Sequence, residues 1–143
     1  PRRLVTSALV TNTETSSYMN APAQARPDRV VVVDDDARVR DAVAGALSAL
    51  GHQVITACDG KEALNICARE PDLQLVVTDV MMPRLTGPDF VAQAQIKRPD
   101  LRVIYMSGSI GDTPRTALGD HPLLAKPFTA ATLTQLVQQT LAT

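Results

Sequence analysis

RVVVVDDDARVRD, residues 29–41, decides how this chain is read. Four valines, Val30 to Val33, run straight into three aspartates, Asp34, Asp35 and Asp36. The β-branched run has the length of a strand buried on both faces, and Val39, Val43, Leu47 and Leu50 then recur at helical spacing until Gly51 stops them. A strand that delivers mutually repelling charge to its own end needs a reason, and the three acids need not share one.

Outward from this stretch the same strand-then-helix pattern returns. QVITA (53–57) is a second strand, and Asp59 with Glu62 forms a capping-box pair that opens a helix carrying Ala63, Leu64, Ile66 and Cys67, with Pro71 after its end. LQLVVT (73–78) is a third strand; Gly87–Pro88 puts proline at the first helical position of a segment through Lys97, which Pro99 closes. LRVIYM (101–106) and PLLA (122–125) supply the fourth and fifth strands, and Thr129 caps a last helix bearing Leu133, Leu136, Val137 and Leu141. Five such units with apolar strands predict an α/β fold, a parallel sheet covered by helices on both faces. The first 28 residues, rich in Thr, Ser, Asn, Ala and Pro and without sustained period, read as a disordered arm, with Met19 as a native start and residues 1–18 as added sequence. The domain is expected over 29–143.

Composition narrows the function classes. A chain of 143 residues with 45% apolar content buries one core, so a single domain is expected. Fourteen Lys+Arg against fifteen Asp+Glu leave a net charge of −1, a field that favours neither nucleic acid nor an anionic membrane. No apolar run approaches the roughly 20 residues that span a bilayer. Cys58 and Cys67 lack CxxC spacing and read as two reduced thiols of a cytoplasmic protein. Walker, GxGxxG, GxSxG and HExxH motifs are all missing.

In an open parallel sheet the ligand crevice lies at the carboxyl ends of the strands. Strand one ends at Asp34 and Asp35, strand three at Asp79, strand four at Ser107 and strand five at Lys126, so all converge on one edge. Two carboxylates about 4 Å apart repel by about 4 kcal/mol at an effective dielectric of about 20, and something cationic must compensate. Mg2+, or Mn2+, suits an all-oxygen donor set and accepts phosphate oxygens as further ligands.

These residues resemble the receiver domain of two-component response regulators. VVVVDD at the end of strand one, VVTDVMMP (76–83) around Asp79, MSG (106–108) and KPF (126–128) look like that family's four landmarks, in order, over roughly residues 29–142. The resemblance implies a flavodoxin-like doubly wound sheet in the order 2-1-3-4-5. It implies that Asp79 accepts a phosphoryl group from a partner histidine kinase or phosphotransfer protein, that Asp34, Asp35, Asp79 and the backbone carbonyl of Met81 serve the metal, and that Ser107 and Lys126 hold the phosphoryl oxygens. It also implies a cis bond before Pro127, and an output protein or domain engaged through the fourth and fifth units. MSG, a short fourth unit and LLAKPFT most resemble receivers of hybrid histidine kinases, while the N-terminal position suits a free-standing regulator.

Asp36 reads as a helix-start acid rather than a third ligand. Asp59, Asp72 and Asp100 read as cap and turn residues, and His52 and His121 as surface or turn residues. A haloacid-dehalogenase-type phosphatase would also begin with two acids two residues apart, but Arg38 stands where that family has Thr or Val, and no acid follows Lys126. A receiver-like module that acts by binding alone is the other alternative. Two departures from the family pattern stand out. Only 18 residues separate Ser107 from Lys126, interrupted by Gly111, Pro114, Gly119 and Pro122, so the fourth helix should be short or irregular. Leu123 stands where many receivers carry a switching aromatic, which predicts a different conformational response on the output face.

Overall fold

The structure, a computed structural model, describes residues 28–108 and 114–143. The arm assigned to the N-terminus, apart from Asp28, and Gly111 in the fourth unit lie outside the described residues. Five strands, β1 (Arg29–Val33), β2 (Gln53–Ala57), β3 (Leu73–Asp79), β4 (Arg102–Ser107) and β5 (Leu123–Ala125), form one sheet in the order β2-β1-β3-β4-β5. Every neighbouring pair is parallel. Between the strands run α1 (Ala37–Ala49), α2 (Gly60–Arg69), α3 (Gly87–Lys97) and α4 (Arg115–Leu118), and α5 (Ala130–Leu141) ends the order.

The four valines are each 0% exposed, because successive side chains of β1 point to opposite faces and both faces are covered. Val31 and Val33 pack with Ile66 of α2 and Phe90 of α3, whereas Val30 and Val32 pack with Leu47 of α1 and Val137 of α5. Each buried valine contributes on the order of 1.5–3 kcal/mol of transfer free energy, which is the local force that pins β1.

Caps set most helix boundaries. Asp36 accepts the Arg38 amide at 2.9 Å to start α1, and Asp59 accepts the Glu62 amide at 2.8 Å to start α2. Glu62 reaches back one residue beyond the box position, to the Cys58 amide at 2.7 Å. At α3 the expected proline-first start is displaced: Thr86 is the N-cap, accepting the Asp89 amide at 3.2 Å, so Gly87 comes first and Pro88 second. Gly51, at φ 96°, closes α1 as its amide and that of His52 reach the Ser48 and Leu47 carbonyls at 3.0 and 3.2 Å.

Strands four and five each begin one residue later than the sequence pattern placed them. Leu101 is taken by a turn, its amide bonded to the Arg98 carbonyl at 3.1 Å. Pro122 accepts from the Tyr105 amide at 2.9 Å but has no N–H to return, so the β5 ladder starts at Leu123. The fourth helix has four residues, as its interrupted sequence predicts.

Two glycines separate backbone need from tolerance. A Cβ on Gly87 would lie 2.3 Å from the Asp79 carbonyl oxygen, whereas a Cβ on exposed Gly45 of α1 meets nothing within 4 Å. Gly45→Ala should therefore raise stability in urea denaturation by about 0.5–1 kcal/mol. Gly87→Ala should lower it by more than 1 kcal/mol, on the order of other steric insertions into packed sites, because the obstacle is backbone.

Candidate functional site

The sheet order puts the carboxyl ends of β1 and β3 side by side, and there the acids gather. Asp34 is 0% exposed, Asp79 is nearly as buried, and Asp35 is exposed at the rim. One carboxylate oxygen from each of the three lies within 4.8 Å of the others. Asp36 does not join them. It caps α1 and carries an amide that donates to Asp34 Oδ1 at 2.9 Å, and the Arg38 amide holds its own carboxyl below the usual range.

Lys126 answers this charge. Its Nζ lies 2.9 Å from Asp34 Oδ2 and 3.3 Å from Asp79 Oδ1, so one ammonium spans two of the three acids. Its backbone is fixed as well: the Lys126 amide donates to the Ser107 carbonyl at 2.8 Å, tying the ends of β4 and β5 together. The Lys126–Pro127 peptide bond is cis. Burial alone would lower the Lys126 pKa, but the hydrogen bond it donates to Asp34 and the charges of Asp79 and Asp34 outweigh it and leave the pKa raised. Asp79 is shifted up, first by burial and then by the charge of Asp34, against the pull of Lys126.

Ser107, a buried residue, ends β4 beside Asp79, whose register partner is Met106. Met81 follows Asp79 by two residues in the β3–α3 loop, with its side chain exposed. Leu123 pairs with Tyr105 across β4 and β5 and packs half-buried against the apolar core that holds Val31, Phe90 and Tyr105. His121 is not a plain turn residue: it is half-buried, its ring meets Tyr105 edge-on at 6.0 Å, and burial lowers its pKa. Tyr105, the register partner of Leu123, and His121, two residues before it, bring two rings to this part of the sheet edge.

Three supporting groups escape the motif pattern. Arg40 donates to the Asp34 carbonyl at 2.8 Å, and the buried Thr78 hydroxyl donates to the Asp79 carbonyl at 3.0 Å. Asp59, read from sequence as a cap alone, also pairs with Arg84 at 3.6 Å, bridging the β2–α2 and β3–α3 loops. Arg84 adopts φ 70°, a left-handed backbone rare outside glycine. Only the helical spacing of Arg40 behind the acids was a usable signal.

The donor set consists of oxygen atoms on a rigid sheet edge, which fits a hard divalent cation. Asp34, Asp35 and Asp79 are the residues that could hold it.

The family model for the response regulator receiver domain matches residues 30–138. The response regulator MprA of Mycolicibacterium vanbaalenii is 40% identical over 106 residues, covering 71% of this chain and 45% of that protein. The chain spans about half the length of the curated relatives it matches. Among solved structures, the chemotaxis protein CheY4 of Vibrio cholerae superposes with a TM-score of 0.75 at 27% identity, covering 80% of this chain and 98% of that one. The receiver domain of NtrX from Brucella abortus gives a TM-score of 0.71 at 35% identity, with the same coverages of 80% and 98%.

Two outcomes follow from the charge balance. Lys126→Met leaves buried carboxylates without their cation and should destabilise the metal-free protein by about 3–5 kcal/mol at neutral pH in chemical denaturation. Because the Asp79 pKa is raised on folding, ionising it costs stability as pH rises from the ordinary carboxylate value of the unfolded chain through the higher folded value. Asp79→Asn should therefore raise the Tm at neutral pH in the presence of a chelator, and the gain should shrink as pH falls through that window.

Proposed function

The chain belongs to the response regulator receiver domain family, and on that premise we propose that Asp79 accepts a phosphoryl group from the phosphohistidine of a partner histidine kinase or phosphotransfer protein. Receiver domains are regulatory parts of two-component systems, and the chemistry asked of this one is a single transfer. The observation that carries the reading is Lys126 reaching both Asp34 and Asp79, at 2.9 and 3.3 Å, over an oxygen cluster that fits Mg2+ or Mn2+.

In the transfer an Asp79 carboxylate oxygen forms the new O–P bond as the donor's P–N bond breaks and the imidazole leaves with the electron pair. Phosphoryl transfer demands positioning and charge neutralisation more than a protein base. Burial and the charge of Asp34 raise the Asp79 pKa, which makes its oxygen a more basic nucleophile than a solvated carboxylate. Asp34, Asp35 and Asp79, with the Met81 carbonyl, would hold the cation, which would supply charge neutralisation for the phosphoryl oxygens. Lys126 leaves its pairing with Asp79 for the phosphoryl group, and the Ser107 hydroxyl bonds another of its oxygens. A groove of about 490 Å³, lined by Arg38, Val39, Ala42, Pro127 and Phe128, opens beside Lys126 and could take side chains of the donor.

Downstream the effect is a population shift, with one arrangement of the Ser107 and Lys126 loops favoured and partner affinity changed in consequence. The output face is assigned to the fourth and fifth units, around Leu123. Among the described residues no helix is long and apolar enough to cross a membrane, which is compatible with the cytoplasmic location proposed.

Incubation with Mg2+ and acetyl phosphate, read by intact mass, should add one phosphoryl group to the unmutated chain and none to Asp79→Asn. Asp35→Ala should lose most of the Mg2+-dependent rate. Modification that persists in Asp79→Asn would remove the assignment, and no modification of the unmutated chain would favour a module that acts by binding alone.

A further inference from the structure

Asp34 and Asp35 are adjacent in sequence but held by different means. The Asp34 carboxylate is fixed from two sides, by the Asp36 amide and by Lys126, each at 2.9 Å. Asp35 is exposed, and among the described residues no hydrogen bond or ion pair is found on its carboxylate. Its aim therefore depends on the backbone that carries it. The Asp34 amide is stitched to the Ala57 carbonyl of β2 at 3.2 Å, but the Asp34 carbonyl has left the sheet ladder, and the half-buried Arg40 guanidinium receives it at 2.8 Å. That carbonyl and the Asp35 amide belong to one rigid peptide plane, so holding the carbonyl orients the bond from which Asp35 hangs.

We propose that Arg40 is a positioning residue for the divalent-cation site, acting through the Asp34–Asp35 peptide rather than on the ion. The proposal rests on the metal-dependent reading above. Arg40 also carries charge, and the two effects have opposite signs. A nearby positive charge opposes cation binding, so losing it should tighten Mg2+. Losing the positioning contact should weaken Mg2+, because outer-shell partners that orient ligands typically contribute about 10-fold or more in affinity.

Calorimetric Mg2+ titrations of the unmutated protein, Arg40→Met and Arg40→Lys at fixed salt, with thermal unfolding in a chelator alongside, separate these. Arg40→Met should raise the Mg2+ Kd about 10-fold, at the lower end of outer-shell effects. Arg40→Lys keeps a single-point donor and should recover most of that loss. A Kd for Arg40→Met that is unchanged or lower, with only the Tm reduced, would overturn the proposal and leave Arg40 a structural or purely electrostatic group. If Arg40→Met does not fold, Arg40→Gln, whose shorter side chain falls away from the carbonyl, should show the same weakening, and a normal Kd there overturns the proposal equally. Asp35→Ala serves as the control. If the unmutated protein gives no Asp35-dependent Mg2+ heat, the metal reading fails and the Arg40 role falls with it, an outcome distinct from a metal site that binds normally without Arg40.

Discussion

Everything at the functional edge depends on one electrostatic constraint. Three carboxylates are brought together by strands that cannot move apart, and a single lysine, delivered by a neighbouring strand end, spans two of them. The hydrophobic effect supplies the force that keeps the acids close. Four buried valines fix β1, and the apolar run of β3 fixes Asp79. The site is thus strained by charge and held by packing, which keeps it receptive to a further cation.

Much of the fold could be read from period alone. The Val30–Val33 run, the helical recurrence of Val39, Val43 and Leu47, and the caps at Asp36, Asp59 and Thr129 are local signals, and local forces settled them. The differences arose where a turn, a competing cap or a missing donor intervened. Leu101 was drawn into a turn by Arg98, Pro122 could not return a hydrogen bond to β4, and Thr86 displaced Pro88 from the start of α3. The strand order came from resemblance, because nothing in a single strand's sequence says which neighbour it takes.

The acids of the site were legible for the same reason: a strand end is a place, and Asp34, Asp35, Asp79, Ser107 and Lys126 all stand at strand ends. Their supports were not. Thr78 acts on a backbone carbonyl and the Arg84–Asp59 pair acts across loops, contacts that leave no spacing rule to find, and for Arg40 the helical spacing behind the acids was the one signal. Nor could the sequence show that Tyr105 and His121 bring rings to the neighbourhood of Leu123, since the register of β4 against β5 decides it.

The alternation of β1 between the two cores has a mechanical consequence. Val31 and Val33 belong to one apolar cluster and Val30 and Val32 to the other, so a shift of β1 would disturb both at once. At the opposite side of the sheet β5 is three residues long and, among the described residues, pairs with β4 alone. Stiffness therefore falls from β1 toward β5, and low local stability concentrates at the compliant edge. The two acids of β1 act as a fixed anvil. Lys126 stands at the compliant end, so a load on its ammonium is passed first to β5 and, through its own amide, to the Ser107 carbonyl.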